Sequence, residues 1–194
     1  IIVSTSVLKP LLIVLPGGHP GYMSTMTYLT EGTLSHGLRV AVRPMEPSDR
    51  MDLIKGFDHL SDETKYRRFM SSKPRLSQAD IRHLFDTEEL ALVLVWKRSS
   101  CKDIILGLAH AIRLPGQPDT AEFCITITDE IHGRGAGRIL THAVAHEASR
   151  RGITHLTGYM LGTNEAPARL LRSVGTVEYD KIEGGSRDMR VRLP

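Results

Sequence analysis

Three alternating glycines and two arginines between residues 132 and 138 form the part of the sequence best suited to bind an anion. Gly133, Gly135 and Gly137 lack side chains that would keep a phosphate away from consecutive backbone N–H groups. A long helix is predicted to follow, and the partial positive charge at a helix N-terminus favours an anion there. Arg134 and Arg138 could add charge-assisted hydrogen bonds. A phosphate site is therefore one interpretation, and a tight strand-to-helix turn is the other.

Two familiar nucleotide-binding loops do not match this segment. The sequence contains no Gly-Lys-Ser/Thr, which a Walker A loop requires. A dinucleotide-binding loop would follow the first strand, with an acidic residue about 20 residues further on. Here the loop follows several predicted strands, and residues 153–161 contain no acidic side chain.

The elements around the loop predict an α/β (α+β) domain. Strands are predicted at residues 38–43, 90–96, 104–112 and 121–128, from alternation or from continuous apolar runs. The long helix after the loop ends near Gly152, and residues 153–161 form the next strand. Residues 121–161 are therefore a βαβ unit that follows an antiparallel meander. Asn164 begins another helix, and two strands near 176–181 and 189–193 complete the chain.

Three shorter helices are predicted between the first two strands, after Pro47, Ser61 and Ser77. The second of them has an incomplete start signal. Ser61 fits the N-cap position, but Thr64 stands where a Glu or Gln side chain usually binds the N-cap N–H group.

The bulk composition narrows the range of partners. The 194 residues carry a net charge of +3, one Trp and four Phe, with no long Lys/Arg run, which argues against a nucleic-acid partner. Cys101 and Cys124 have no disulfide or metal spacing, so we expect reduced thiols and no metal. No apolar stretch reaches the roughly 20 residues of a membrane span, and Leu11–Leu15 is short for a signal peptide. A cytoplasmic protein without a membrane partner is expected.

Residues 1–36 differ in composition from the rest of the chain. They hold few charges and many Gly, Pro, Ser and Thr residues, with no sustained period. We expect an N-terminal extension over 1–36, partly irregular, and one folded domain over 37–194.

The order of elements and the loop resemble the GNAT superfamily of N-acyltransferases. The family's pyrophosphate loop, Gln/Arg-x-x-Gly-x-Gly/Ala after the fourth strand, matches residues 132–137 except that His132 replaces Gln or Arg. Residues 60–69 and 74–77 look like the GNAT domains of bacterial protein-lysine acetyltransferases that regulate acyl-CoA synthetases. The resemblance covers about residues 38–193. It implies a GNAT fold: a mixed central sheet with an antiparallel meander, then βαβ, splayed parallel strands and flanking helices.

The resemblance also implies a cofactor, acetyl-CoA, and the residues that hold it. The pantetheine arm would pair with the backbone at the end of the fourth strand, and the pyrophosphate would lie on the Gly-rich loop. Asn164 would contact the cofactor arm, or else simply cap its own helix. The implied site comprises Ile125, Thr126, Ile127, His132, Gly133, Arg134, Gly135, Ala136, Gly137, Arg138 and Asn164.

The implied chemistry is direct attack of an amine on the thioester, which requires a deprotonated amine and a leaving thiolate. Glu122 matches the position of the general base in the protein-acetylating subgroup, although a strand carboxylate paired with an Arg is the alternative. Many members use a Tyr as general acid on the helix that Asn164 begins, where this chain has Leu171. His110 is a reserve base on a neighbouring strand.

The expected activity is acetyl transfer to a primary amine, with a protein lysine favoured as acceptor. The missing Tyr and the His132 replacement leave open a non-catalytic acyl-CoA sensor with a GNAT fold. A nucleotide-binding regulator is a third interpretation. A homodimer is compatible with the sequence, which does not fix the oligomeric state.

Overall fold

The structure is a computed structural model that describes residues 28–85, 90–98 and 102–194. Within these residues the strands are β1 (Thr30–Thr33), β2 (Arg39–Pro44), β3 (Leu90–Trp96), β4 (Ile104–Leu114), β5 (Gln117–Ile127), β6 (His155–Leu161), β7 (Thr176–Glu183) and β8 (Ser186–Arg192). The α-helices are α1 (Arg50–His59), α2 (Asp62–Phe69), α3 (Gln78–Phe85), α4 (Ala136–Arg150) and α5 (Glu165–Arg172).

All of these strands form one mixed sheet in the order β1-β2-β3-β4-β5-β6-β8-β7. Neighbouring strands are antiparallel except β5 and β6, which are parallel and joined through α4. The predicted fold class, an antiparallel meander followed by a βαβ unit with flanking helices, is confirmed.

The sheet begins before residue 37, where we placed the start of the folded domain. β1 pairs with β2 from Thr30 opposite Val42 to Thr33 opposite Arg39. A Cβ atom added to Gly32 would lie 3.0 Å from Ile139 Cδ1, so β1 runs close to α4. Residues 30–33 thus belong to the sheet. Residues 1–27 of the expected extension lie outside the described part of the chain, as does Cys101.

The predicted helix starts near Ser61 and Ser77 are confirmed. The Ser61 hydroxyl accepts a hydrogen bond from the Thr64 N–H group at 3.2 Å, and Ser77 accepts one from the Asp80 N–H group at 3.2 Å. These contacts hold the first turns of α2 and α3.

The two faces of the sheet pack against different helices, and this decides which side chains reach the site. The α4 face carries the main core, which includes Phe123, Ile125, Ile127, Leu140 and Val144. Helices α1, α2 and α3 lie over the opposite face. Because side chains alternate along a strand, Glu122, Cys124 and Thr126 of β5 point toward α1–α3.

A buried ion pair holds the start of α1 against β2. Both guanidinium NH₂ groups of Arg43 donate to the Asp49 carboxylate at 2.7 Å, and the two side chains are 3% and 1% exposed. Asp49 also accepts a hydrogen bond from the Glu46 N–H group at 2.8 Å. The pair fixes the point at which the chain leaves the sheet to cover its α1–α3 face.

Candidate active site

The parallel strands β5 and β6 separate along their length and leave a gap in the sheet. Their pairing is limited to Thr120–Glu122 opposite His155–Thr157. Beyond these residues β5 continues to Ile127 beside β4, and β6 continues to Leu161 beside β8. The gap therefore opens next to Glu122 and widens toward the loop at 132–138.

The backbone of β5 presents hydrogen-bonding groups to this gap at alternate residues. The Thr128 N–H group donates to the Leu106 carbonyl at 2.9 Å, so Thr128 faces β4. By alternation, the backbone of Thr126 also faces β4, whereas the backbones of Ile125 and Ile127 face the gap. Thr126 was expected to pair with a cofactor through its backbone, and the structure directs only its two neighbours that way.

The Gly-rich loop leads directly into the start of α4. The first intrahelical bond of α4 runs from the Ile139 N–H group to the Gly135 carbonyl at 3.2 Å. The N–H groups of residues 136–138 come before it and have no intrahelical acceptor. Gly135 has a φ of 93°, a conformation that glycine adopts without strain. Arg134 precedes these residues and is half-buried, and Arg138, the last of them, is exposed.

His132 does not extend its side chain toward the loop's outer surface. Its imidazole is 3% exposed and donates from Nε2 to the Ile127 carbonyl at 2.9 Å. Its Nδ1 lies 3.7 Å from the Asp129 carboxylate. The imidazole therefore ties the loop to the end of β5, and any contact with a bound anion would come from the His132 backbone.

Asp129 links this loop to α2 and completes the start of that helix. Its carboxylate accepts hydrogen bonds from the Ser61 N–H group at 2.7 Å, the Ser61 hydroxyl at 3.0 Å and the Thr64 hydroxyl at 2.6 Å. It thus supplies the acceptor that a Glu at position 64 would normally provide. The sequence does not indicate this role, because nothing local relates residue 129 to residues 61 and 64.

Glu122 lies at the closed end of the gap, on the α1–α3 side of the sheet. It is half-buried, and Cys124 Sγ lies 4.0 Å from its Oε1 atom. It forms no ion pair with any residue that the structure describes, which disfavours the Arg-paired alternative. Burial raises the pKa of the neighbouring Cys124 thiol, so that group stays protonated and is a poor nucleophile.

A cavity of about 140 Å³ lies beside Glu122, between α1–α3 and the strands β4 and β5. Cys124, Thr126 and His110 contribute to its floor. Burial, with the charges of Arg68 and His83, lowers the pKa of His110 to about 3. An imidazole with so low a pKa is too weak a base to take a proton from an ammonium group, so His110 does not suit the role of reserve base.

Two further positions considered from the sequence, Asn164 and Leu171, lie at the start of α5 and within it. Asn164 is 3% exposed, its side chain does not cap α5, and neither polar atom of its amide has a partner. The simple N-cap alternative is therefore not what the structure shows. Leu171 is fully buried in the main core against Gly158, so α5 offers no acid at that position.

A model of the acetyltransferase (GNAT) domain matches residues 39–177 of the sequence. The chain belongs to the GNAT acetyltransferase family. The match extends from β2 into β7 and includes the gap between β5 and β6 and the Gly-rich loop.

Similar proteins agree with this membership. Acetyltransferase Pat of Mycolicibacterium smegmatis is 28% identical over 137 residues, which cover 70% of this chain and 40% of Pat. This chain therefore matches less than half of the length of that relative.

Solved structures show the same fold. The GNAT domain of S. lividans PAT has a TM-score of 0.72 and 24% identity, and the match covers 84% of this chain and 96% of that one. An acetyltransferase from Salmonella typhimurium, solved with its cofactor acetyl-CoA, has a TM-score of 0.60 and 18% identity over 80% of this chain and 94% of that one.

Two negative findings apply to the described part of the chain. None of its helices has the length and apolar character needed to cross a membrane. Its His, Cys, Asp and Glu side chains do not assemble into a group of three or more that could hold a metal ion.

Proposed function

We propose that this GNAT domain transfers the acetyl group of acetyl-CoA to a primary amine. The observation that carries the proposal is the gap between β5 and β6, which runs from Glu122 to the Gly-rich loop. A thioester in this gap would lie beside a carboxylate, and the cofactor's phosphates would lie beside a helix N-terminus.

The residues around the gap suit the parts of acetyl-CoA. The backbone of Ile125 and the N–H group of Ile127 would pair with the pantetheine amides, since the Ile127 carbonyl already accepts a hydrogen bond from His132 Nε2. Thr126 between them holds the strand to β4. The pyrophosphate would bind the N–H groups of the loop, supported by two arginines. The unsatisfied amide of buried Asn164 would gain a partner in the cofactor arm, which offsets the cost of leaving it unpaired. The loop residues are His132, Gly133, Arg134, Gly135, Ala136, Gly137 and Arg138.

Glu122 would act as the general base. It would take a proton from the acceptor ammonium, directly or through one water, so that the neutral amine attacks the thioester carbon. A C–N bond then forms, the nitrogen loses its second proton to water, the C–S bond breaks and coenzyme A leaves as a thiolate. Because Leu171 carries no proton, water is the simplest source of the proton that the thiolate requires.

A protein lysine is the acceptor that we favour. The support is the similarity of residues 60–69 and 74–77 to bacterial protein-lysine acetyltransferases. These residues include α2, which packs on β5 and β6 at the gap. Acetyl-CoA is a metabolite of the cytoplasm, where we place the protein.

Thermal unfolding with and without acetyl-CoA tests the cofactor site. Ligand at 100 times its Kd stabilises a protein by about 2.7 kcal/mol, and we expect Gly135→Asp to abolish this because it places a carboxylate at the phosphate position. Gly116→Asp is the matched control, since Gly116 also has a positive φ, 74°, and open space around it, in the β4–β5 turn. A wild-type protein that millimolar acetyl-CoA fails to stabilise contradicts the proposal.

The second candidate function, an acyl-CoA sensor without turnover, is favoured by the absence of an acid at Leu171. The variant Glu122→Gln separates it from the enzyme. In an enzyme, the variant should lose about 100- to 10,000-fold in coenzyme A release with a lysine peptide, yet still be stabilised by acetyl-CoA. Glu183→Gln, in the exposed strand β7, should keep the wild-type rate. Stabilisation by acetyl-CoA with no release of coenzyme A from any amine would support the sensor.

A further inference from the structure

The cavity beside Glu122 has apolar walls and an uneven distribution of charge. Two carboxylates on its lining are neutralised by lysines of their own. Asp52 lies 2.7 Å from Lys102 Nζ, and Asp80 lies 2.5 Å from Lys73 Nζ. The apolar part of the wall includes Leu53, Phe57, Phe69, Leu84 and Leu108.

Arg68, on α2, has no such neutralising partner. Its guanidinium lies 5.1 Å from the centre of the Phe69 ring, and it forms no ion pair with the residues that the structure describes. Arg67, the preceding residue, is paired with Glu63 and does not line the cavity. Arg68 is therefore the one guanidinium on the described lining, and neither lining carboxylate pairs with it, while the Glu122 carboxylate lies outside the lining. The lining also includes the basic side chain of His83.

His110 adds an unsatisfied hydrogen-bonding atom to the same cavity. Its side chain is 5% exposed, and its Nε2 atom has no partner. Because its pKa is far below neutrality, the imidazole is uncharged, and in the tautomer protonated at Nε2 it would donate one hydrogen bond. A buried polar atom without a partner is unfavourable, so a ligand atom that accepts this hydrogen bond would bind more tightly.

We infer that this cavity binds a carboxylate carried on a short apolar stem, with Arg68 as its counter-ion and His110 as its hydrogen-bond donor. The volume of about 140 Å³ is close to that of an engineered cavity that admits benzene, and it exceeds what an acetyl group requires. A protonated amine does not suit the same place, because Arg68 would repel it.

This inference rests on the proposed function, acyl transfer to an amine at Glu122, and it broadens either the donor beyond acetyl-CoA or the acceptor beyond a protein lysine. The carboxylate belongs to one of the two substrates. It is the end of the acyl group when the donor is a dicarboxylic acyl-CoA such as succinyl-CoA. It is part of the acceptor when the amine is an amino acid such as 4-aminobutyrate. In both cases the reacting atoms lie at Glu122, whose Oε1 is 4.0 Å from Cys124 Sγ on the cavity floor.

Two matched pairs of ligands distinguish these sources by thermal unfolding. The donor pair is succinyl-CoA and butyryl-CoA, which have four-carbon acyl groups and differ in a terminal carboxylate. The acceptor pair is 4-aminobutyrate and 4-aminobutyramide, each added in the presence of coenzyme A. We expect the carboxylate member of one pair to bind at least tenfold more tightly, as a charge-assisted hydrogen bond provides.

Substitutions on α2 test whether the preference for the carboxylate ligand comes from the cavity. Arg68→Met should remove it, and Arg68→Lys should retain part of it. Arg67→Met, the neighbouring control, should leave it unchanged. The inference is wrong if the wild type shows no carboxylate preference in either pair, or if Arg67→Met loses it equally. Failure of acetyl-CoA to stabilise the wild type would contradict the proposed function as well. Stabilisation by acetyl-CoA without a carboxylate preference would overturn this inference alone.

Discussion

Asp129→Ala should destabilise the protein far more than the partial exposure of this loop residue suggests. The change removes three hydrogen bonds to α2: from the Ser61 N–H group at 2.7 Å, the Ser61 hydroxyl at 3.0 Å and the Thr64 hydroxyl at 2.6 Å. Hydrogen bonds to charged groups contribute about 1.5–3 kcal/mol each. Asp129 is 21% exposed and Ser61 is exposed, so water can replace part of what is lost there.

Thr64 differs from Ser61 because it is 1% exposed, so its hydroxyl would keep only the contact with the Ser61 hydroxyl at 3.1 Å. We therefore count one hydrogen bond to Asp129 in full and the other two at a fraction of that value. The expected loss in the free energy of unfolding is about 2–4 kcal/mol. Asp129→Asn, which keeps an oxygen acceptor but removes the charge, should lose roughly half as much.

Urea denaturation at pH 7 measures these losses, with Glu130→Ala as the control because Glu130 is exposed and adjacent. The control should change the free energy of unfolding by less than about 0.5 kcal/mol. A loss below about 1 kcal/mol in Asp129→Ala, with an unchanged denaturant slope, would refute our account of how α2 is held to the loop.

Two other predictions concern buried charged or titratable groups. Asp49→Ala should cost about 3–5 kcal/mol because it leaves buried Arg43 unpaired, and urea denaturation should show a smaller loss for the double variant Arg43→Met/Asp49→Leu. The folded-state pKa of His110, about 3, lies below the ordinary value of 6.5, so its contribution to stability is complete above pH 6.5 and declines as the pH falls toward 3. The wild type should therefore lose about 1 kcal/mol more than His110→Leu between pH 7 and 5.5. An imidazole that titrates near pH 6.5 by NMR would contradict the second prediction.

Local patterns in the sequence predicted most of the elements but not all of their ends. The apolar run at residues 90–96 matches β3 residue for residue, because a strand buried on both faces needs continuous apolar side chains. The hairpin strands β4 and β5 instead extend to Leu114 and from Gln117, beyond the predicted bounds. Polar residues near a turn show little alternation of apolar and polar side chains, although the backbone hydrogen bonds between β4 and β5 continue through them.

β1 was missed for a related reason. Its residues 30–33, Thr-Glu-Gly-Thr, contain no apolar side chain, and they lie at the edge of the sheet. An edge strand of this kind is held by backbone hydrogen bonds to β2, which do not depend on side-chain type. The composition that suggested an irregular extension was therefore a poor guide to these residues.

By itself, the sequence determined the order of strands and helices from β2 onward, the βαβ unit and the position of the Gly-rich loop at the start of α4. Those features depend on hydrophobic period, on helix-capping residues and on glycine, and each acts within a few residues. Tertiary structure alone decided that β5 and β6 separate beyond Glu122, that Asp129 completes the start of α2, and that Arg68 and His110 share one cavity. Each of these joins groups that are distant along the chain, and no local period or propensity encodes which of them will meet once the sheet and helices have packed.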